Sequence, residues 1–104
     1  MNPSKVDRNS LHDLTDLPNI GKSLAEDLRK IGIQQADDLV GQDPFAMHAS
    51  LCQATGTQHD PCVIDVFISI TRFMDGAAPL PWWKYTAERK QRLLAIKEIE
   101  NSKT

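Results

Sequence analysis

The chain is punctuated in a way that leaves room for little besides short helices. Gly32, Gly41, Gly56 and Gly76 each follow a stretch with helical spacing, at the position where a helix ends in a left-handed residue. Asp43-Pro44 and Asp60-Pro61 each precede another such stretch. In both pairs a carboxylate can accept the first free N–H groups, and the proline's missing N–H costs nothing at the first helical position. Ser10, with Asp13 three residues on, and Thr86 read as further helix starts. No segment alternates at period two, so no sheet is expected. The punctuation predicts six helices, at about 11–17, 21–31, 35–40, 44–55, 61–75 and 86–100.

The apolar residues fall into stripes that agree with this division. Leu11, Leu14 and Leu17 form one, and Leu24, Ala25, Leu28 and Ile31 the next. The helix at 61–75 is the most apolar. Val63, Val66, Phe67, Ile70, Phe73 and Met74 make a wide face with Ile64 and Ile68 beside it, leaving a narrow polar stripe of Asp65, Ser69 and Arg72. Such a helix belongs at the centre of the fold. The 104 residues suit one domain with one modest core. We expect a flexible N-terminus over 1–9, a helical domain over 10–76, a connector and C-terminal helix over 77–100 packed on that domain, and a frayed tail at 101–104. Pro79 and Pro81 keep the connector from being helical throughout. Trp82 and Trp83 are adjacent and should point different ways, with at least one of them buried.

An apolar fraction of 40% and a charged fraction of 25% are those of an ordinary soluble protein. No apolar run approaches the ~18 residues of a membrane span, so no membrane partner is expected. The start, Met1-Asn2-Pro3-Ser4-Lys5, is polar with no apolar stretch behind it, unlike a signal peptide. A cytoplasmic setting follows as the expectation, with Cys52 and Cys62 as reduced thiols. The formal net charge of -2 and pI ≈ 5.8 argue against a general, high-affinity nucleic-acid binder. Any DNA contact must be local and sensitive to salt.

The stretch Leu17-Pro18-Asn19-Ile20-Gly21-Lys22 is where such a contact would lie. It reads as a tight turn between two helical patterns. The helix after the turn begins with unsatisfied N–H groups and a partial positive charge, which together can hold a phosphate oxygen. Gly21 lets a phosphate approach with no Cβ in the way. Asn19 tolerates a left-handed conformation, and Ile20 would point inward to fix the turn. Lys22 and Ser23 can add a charge and a hydroxyl. The candidate nucleic-acid-binding set is therefore Asn19, Ile20, Gly21, Lys22 and Ser23.

Leu14-x-x-Leu17-Pro18-Asn19-Ile20-Gly21-x-x-x-Ala25-x-x-Leu28 resembles a helix-hairpin-helix motif, with Asn19 standing where the usual Gly-apolar-Gly hairpin has its first glycine. That resemblance implies contact with DNA backbone without sequence specificity. The turn region is also similar to the C-terminal domain of a bacterial competence regulator. The turn, Leu51-Cys52, His59-Asp60-Pro61-Cys62-Val63-Ile64-Asp65 and Pro81-Trp82-Trp83-Lys84-Tyr85-Thr86 together resemble the small bacterial pathogenicity-locus family, whose members are often labelled mitomycin-resistance proteins. The resemblance spans nearly the whole chain and implies no established biochemical activity.

Chemistry can also be written on other residues. His48, Cys52, His59 and Cys62 can be written as a Cys2His2 zinc site, with His48 and Cys52 one helical turn apart. Their spacing matches no common zinc module, and buried thiols beside surface histidines is the plainer reading. A Cys62–His59 dyad lacks an orienting group and an oxyanion hole. Trp82, Trp83 and Tyr85, near Lys84, Arg89, Lys90 and Arg92, can form a stacking platform with a basic rim or simply anchor the last helix. Glu26-Asp27 and Asp37-Asp38 diverge on their helices and read as surface charge.

The fold expected is all-α, a single compact domain of five to six short helices in the helix-hairpin-helix or sterile-alpha-motif (SAM) style. Two functions fit it. One is non-enzymatic, sequence-independent DNA association through backbone phosphate, with no cofactor. The other is a protein–protein interaction module that binds no nucleic acid.

Overall fold

The computed structural model describes residues 1–102. It is all-helical, and no strand occurs among the described residues. Four α-helices carry the fold: α1 (Lys22–Lys30), α2 (Pro44–Thr55), α3 (Cys62–Met74) and α4 (Thr86–Ser102). Single 3-10 turns occupy Pro3–Lys5, Leu14–Asp16, Ala36–Leu39 and Trp82–Tyr85.

The helices expected at 11–17 and 35–40 are thus only turns, and both are stopped in the same way. The Asp16 carboxylate accepts the N–H groups of His12 and Asp13, each at 2.9 Å. The Asp38 carboxylate accepts those of Gln34 and Gln35, at 2.9 and 3.2 Å. Each carboxylate closes a single turn, after which Leu17 and Val40 are extended. A segment this short cannot sustain a helix on its own propensity. Ser10 accordingly caps nothing, since its hydroxyl donates to Asp7. The two Asp-Pro pairs behave as their chemistry requires: Asp43 accepts the N–H of Phe45 and Asp60 that of Cys62. Thr86 is not a cap either. Its hydroxyl donates to Asp65 at 2.6 Å, and α4 continues directly from the 3-10 turn before it.

Helix α3 runs through the middle of the molecule. On one side Phe67, Ile70 and Phe73 pack against Leu14, Leu17, Ile20, Leu28, Leu39 and Leu51. On the other, Ile64 and Ile68 meet Tyr85, with Phe45 and Leu93 at the margin. The Asp65 and Ser69 positions of its polar stripe do not reach solvent: both residues are buried. Each is paired, as burial demands. Asp65 accepts from Thr86 and from Arg89 Nε at 2.8 Å, and Ser69 donates to the Val66 carbonyl and accepts from Asn19.

Residues 1–9, expected to be flexible, are tied to this body. The Met1 amine donates to the carbonyls of Leu17 and Ile20, at 2.9 and 2.7 Å. The Arg8 guanidinium donates to the carbonyls of Phe73 and Ala77 and lies 3.9 Å over the Phe73 ring. The expected frayed tail overlaps α4 at 101–102, and residues 103–104 lie outside the described residues. Among the described residues no helix is long and apolar enough to cross a membrane.

Candidate functional site

The turn between Leu14–Asp16 and α1 is fixed from below. Leu17, Pro18 and Ile20 are buried in the core beside α3. Asn19 takes the left-handed conformation at φ 65°. Its side-chain amide donates to Ser69 Oγ at 3.0 Å and to the Leu80 carbonyl at 2.9 Å, so one residue ties the turn both to α3 and to the connector. Its backbone N–H donates to the Met1 carbonyl at 2.8 Å, and that of Ile20 to the Leu17 carbonyl at 3.4 Å. Two of the five residues singled out for phosphate therefore have their N–H groups engaged within the chain.

Gly21, Lys22 and Ser23 are placed differently. Gly21 opens α1 in an extended conformation, φ -97° and ψ -172°, and all three residues are exposed. A Cβ built at Gly21 would meet nothing within 4 Å. Neither backbone strain nor crowding inside the chain calls for a glycine there. Among the described residues the N–H groups of Gly21, Lys22 and Ser23 meet no acceptor. They sit at the positive end of the α1 dipole.

A cleft of about 440 Å³ opens beside this helix end. The turn forms its floor through Asn19, Ile20 and Gly21; Met1 to Pro3 form one wall and Pro81 to Trp83 the other. Trp82 packs on the core but is only half-buried, so neither tryptophan is enclosed as expected. Trp83 meets it edge-to-face, ring centroids 5.7 Å apart at 83°, and is 60% exposed. The turn and the tryptophan pair, separate candidates in the sequence, share this cleft. The Asn19–Leu80 bond ties the turn to the connector that carries the tryptophans, a contact across 61 residues that no local pattern announces.

The basic rim imagined around the tryptophans is largely spent. Arg89 is buried, hydrogen-bonded to Asp65 and 3.9 Å from Cys62 Sγ; the bond to Asp65 raises its already high pKa further. Arg92 lies 4.3 Å over the Phe45 ring and pairs with Glu88. Lys90 lines a separate groove on α4 with Leu93, Leu94 and Lys97. Only Lys84 remains exposed beside Trp83.

The four candidate zinc ligands do not converge on one point: Cys52 Sγ lies 3.8 Å from His48 Nε2, but the other two side chains turn elsewhere. His48 is buried, where a surface position was expected, and its ring reaches the backbone of the loop after α2. Its Nε2 lies 3.0 Å from the His59 carbonyl; that oxygen can only accept, so Nε2 carries the proton. His59 Nε2 is 2.8 Å from Thr55 Oγ1, while its backbone N–H meets Cys52 Sγ at 3.3 Å. Cys62 faces Asp60 and Arg89 instead. No cluster of three or more metal-ligating side chains occurs among the described residues. The Cys62–His59 dyad does not form, and the Asp60 carboxylate, followed by burial, pushes the Cys62 thiol above its ordinary value. That is the opposite of nucleophile activation.

The sequence profile of the pathogenicity-locus family matches residues 7–91. The chain belongs to that family. It is also 41% identical over 83 residues to a protein of Streptomyces lavendulae named mitomycin resistance protein McrB, covering 80% of this chain and 78% of that one. No solved structure matches. In pathogenicity-locus terms, the matched span takes in the turn, the free N–H groups of α1 and both tryptophans, and stops short of the outer half of α4.

Proposed function

We propose that this pathogenicity-locus protein is a non-enzymatic, cytoplasmic, DNA-associated protein of helix-hairpin-helix, SAM-like type. It contacts backbone phosphate, without reading sequence, through the N–H groups of Gly21, Lys22 and Ser23. The observation that carries this reading is Gly21: a residue with no internal reason to be glycine stands at the mouth of a helix with three unclaimed donors. Glycine is what close approach of a phosphate asks for. Lys22 supplies a charge at the same point.

A second reading, a protein-interaction module with no nucleic acid, is favoured by the charge balance. The net charge is -2, and all five arginines are engaged within the chain. Fluorescence anisotropy with labelled duplex and single-stranded DNA over a salt series separates the two. DNA association gives binding at low salt that weakens as salt rises. Gly21→Glu should keep the fold, since its φ is ordinary and its Cβ direction is open, and should lose at least tenfold in affinity. Absence of binding to every DNA form at low salt would leave the interaction module as the function.

A further inference from the structure

We infer that the cleft beside the turn receives an unpaired nucleobase, stacked on Trp83, so that the DNA taken is single-stranded or a frayed strand end. This rests on the phosphate reading above and names the form of DNA that the same site accepts. Three observations carry it.

The first is Trp83 itself. Trp82 already packs on the core, and Tyr85 is buried against Ile64 and Ile68. Trp83 belongs to neither core cluster, and its large indole is left 60% exposed. Its ring stands edge-to-face against Trp82, at 83° between the planes, a favourable aromatic geometry. An oriented, solvent-facing indole is a stacking surface.

The second is where that surface lies. It lines one cleft with Gly21, at about 440 Å³ inside the range of ~300–1,000 Å³ usual for small-molecule sites. The walls are mostly apolar, with Pro3 and Met1 facing the tryptophans and Ile20 in the floor. A nucleotide whose phosphate meets the end of α1 brings its base to this cleft. Bases inside an intact duplex are already stacked on each other and offer no free face to Trp83, whereas an unpaired base does.

The third is charge. A protein that held duplex by its backbone alone would need a row of free cations, and with every arginine held by the chain's own carboxylates, carbonyls and rings, Lys22 and Lys84 are the cations adjoining the residues of this cleft. Stacking supplies affinity without further positive charge.

The experiment compares three labelled probes by anisotropy at low salt: a short single strand, the same strand carrying abasic sites, and a blunt duplex. The abasic strand keeps the phosphates and removes the rings, so it tests the idea with the unaltered protein. We expect the single strand to bind more tightly than the duplex. Abasic substitution and Trp83→Ala should each cost about five- to 150-fold on the single strand, the range for one stacked base. Trp83→Ala should cost more on the single strand than on the duplex, and Trp83→Phe should restore part of the loss. Equal affinity for the normal and abasic strands, with Gly21→Glu still abolishing binding, would overturn the stacking site and leave the phosphate reading intact. Failure of all three probes to bind would remove both.

Discussion

Asn19 combines a local demand with two distant ones. Its backbone is left-handed, which Asn tolerates better than other residues with a side chain, while its amide reaches Ser69 and Leu80, 50 and 61 residues away. Two substitutions separate these roles. Asn19→Gly keeps the backbone and loses both hydrogen bonds, for a cost of about 1–2 kcal/mol. Asn19→Ala loses the same bonds and adds left-handed strain, so it should cost roughly 1 kcal/mol more. Urea unfolding of both variants checks this; equal stability would mean that the backbone conformation carries no strain. The left-handed turn was legible in the sequence because it is local chemistry. The amide's partners were not, because nothing near residue 19 encodes a position in α3 or in the connector. Cys62 gives a second test at this scale. Asp60 and partial burial hold its thiol above the ordinary value, so alkylation by iodoacetamide at pH 7 should be slower than for a free thiol. The sign for stability follows. Above about pH 8.5 the unfolded chain loses this proton before the folded one, so the contribution of Cys62 to stability falls as pH rises through that range. Cys62→Ser should flatten the decline in a series of melts at alkaline pH.

At the scale of elements, the enclosure of α3 was readable from its wide apolar face, but the fate of its polar stripe was not. A helix covered on all sides buries its polar residues too, and each must then be paired. Asp65 is fully buried and meets Arg89 and Thr86, which makes this ion pair the joint that docks α4 onto α3. The same Arg89 had read as a rim cation near the tryptophans, because periodicity does not tell which turn of α4 faces the core. Removing one partner leaves a buried charge without compensation. Arg89→Met should therefore destabilise by about 3–5 kcal/mol, while Asp65→Leu combined with Arg89→Met should recover most of the loss. Thermal melts of the two single variants and the double one form the cycle that measures the coupling. An Arg89→Met protein as stable as the parent would show that Thr86 alone satisfies Asp65. The two short 3-10 turns make the complementary point about elements. Their apolar spacing was real, since Leu14 and Leu39 are both buried, but the carboxylates of Asp16 and Asp38 ended each segment after one turn.

Over the whole molecule, charge limits what any DNA contact can be. Net charge was plain from the sequence; where each cation goes was not, because pairing is a property of the folded surface. Arg8 is held by two carbonyls and the Phe73 ring, Arg29 pairs with Asp13, Arg72 and Arg92 share Glu88, and Arg89 is buried on Asp65. Among the described residues, Lys22 and Lys84 beside the cleft-lining Gly21 and Trp83, and Lys5 two residues from Pro3, take part in no ion pair. With at most about three phosphates neutralised, the slope of log K against log salt should be no steeper than roughly -2 on single strands, at about -0.7 per phosphate. Lys22→Ala should make it shallower by somewhat less than one unit and weaken all DNA forms alike, since a phosphate contact carries no sequence or strand preference. Trp83→Ala should lower affinity on single strands while leaving that slope unchanged, because stacking releases no counterions. Anisotropy titrations over a salt series for the parent and these two variants read both quantities together. A slope steeper than about -4 would require a row of phosphate contacts that the unpaired lysines around the turn cannot provide, and would move the DNA-binding surface away from α1 altogether.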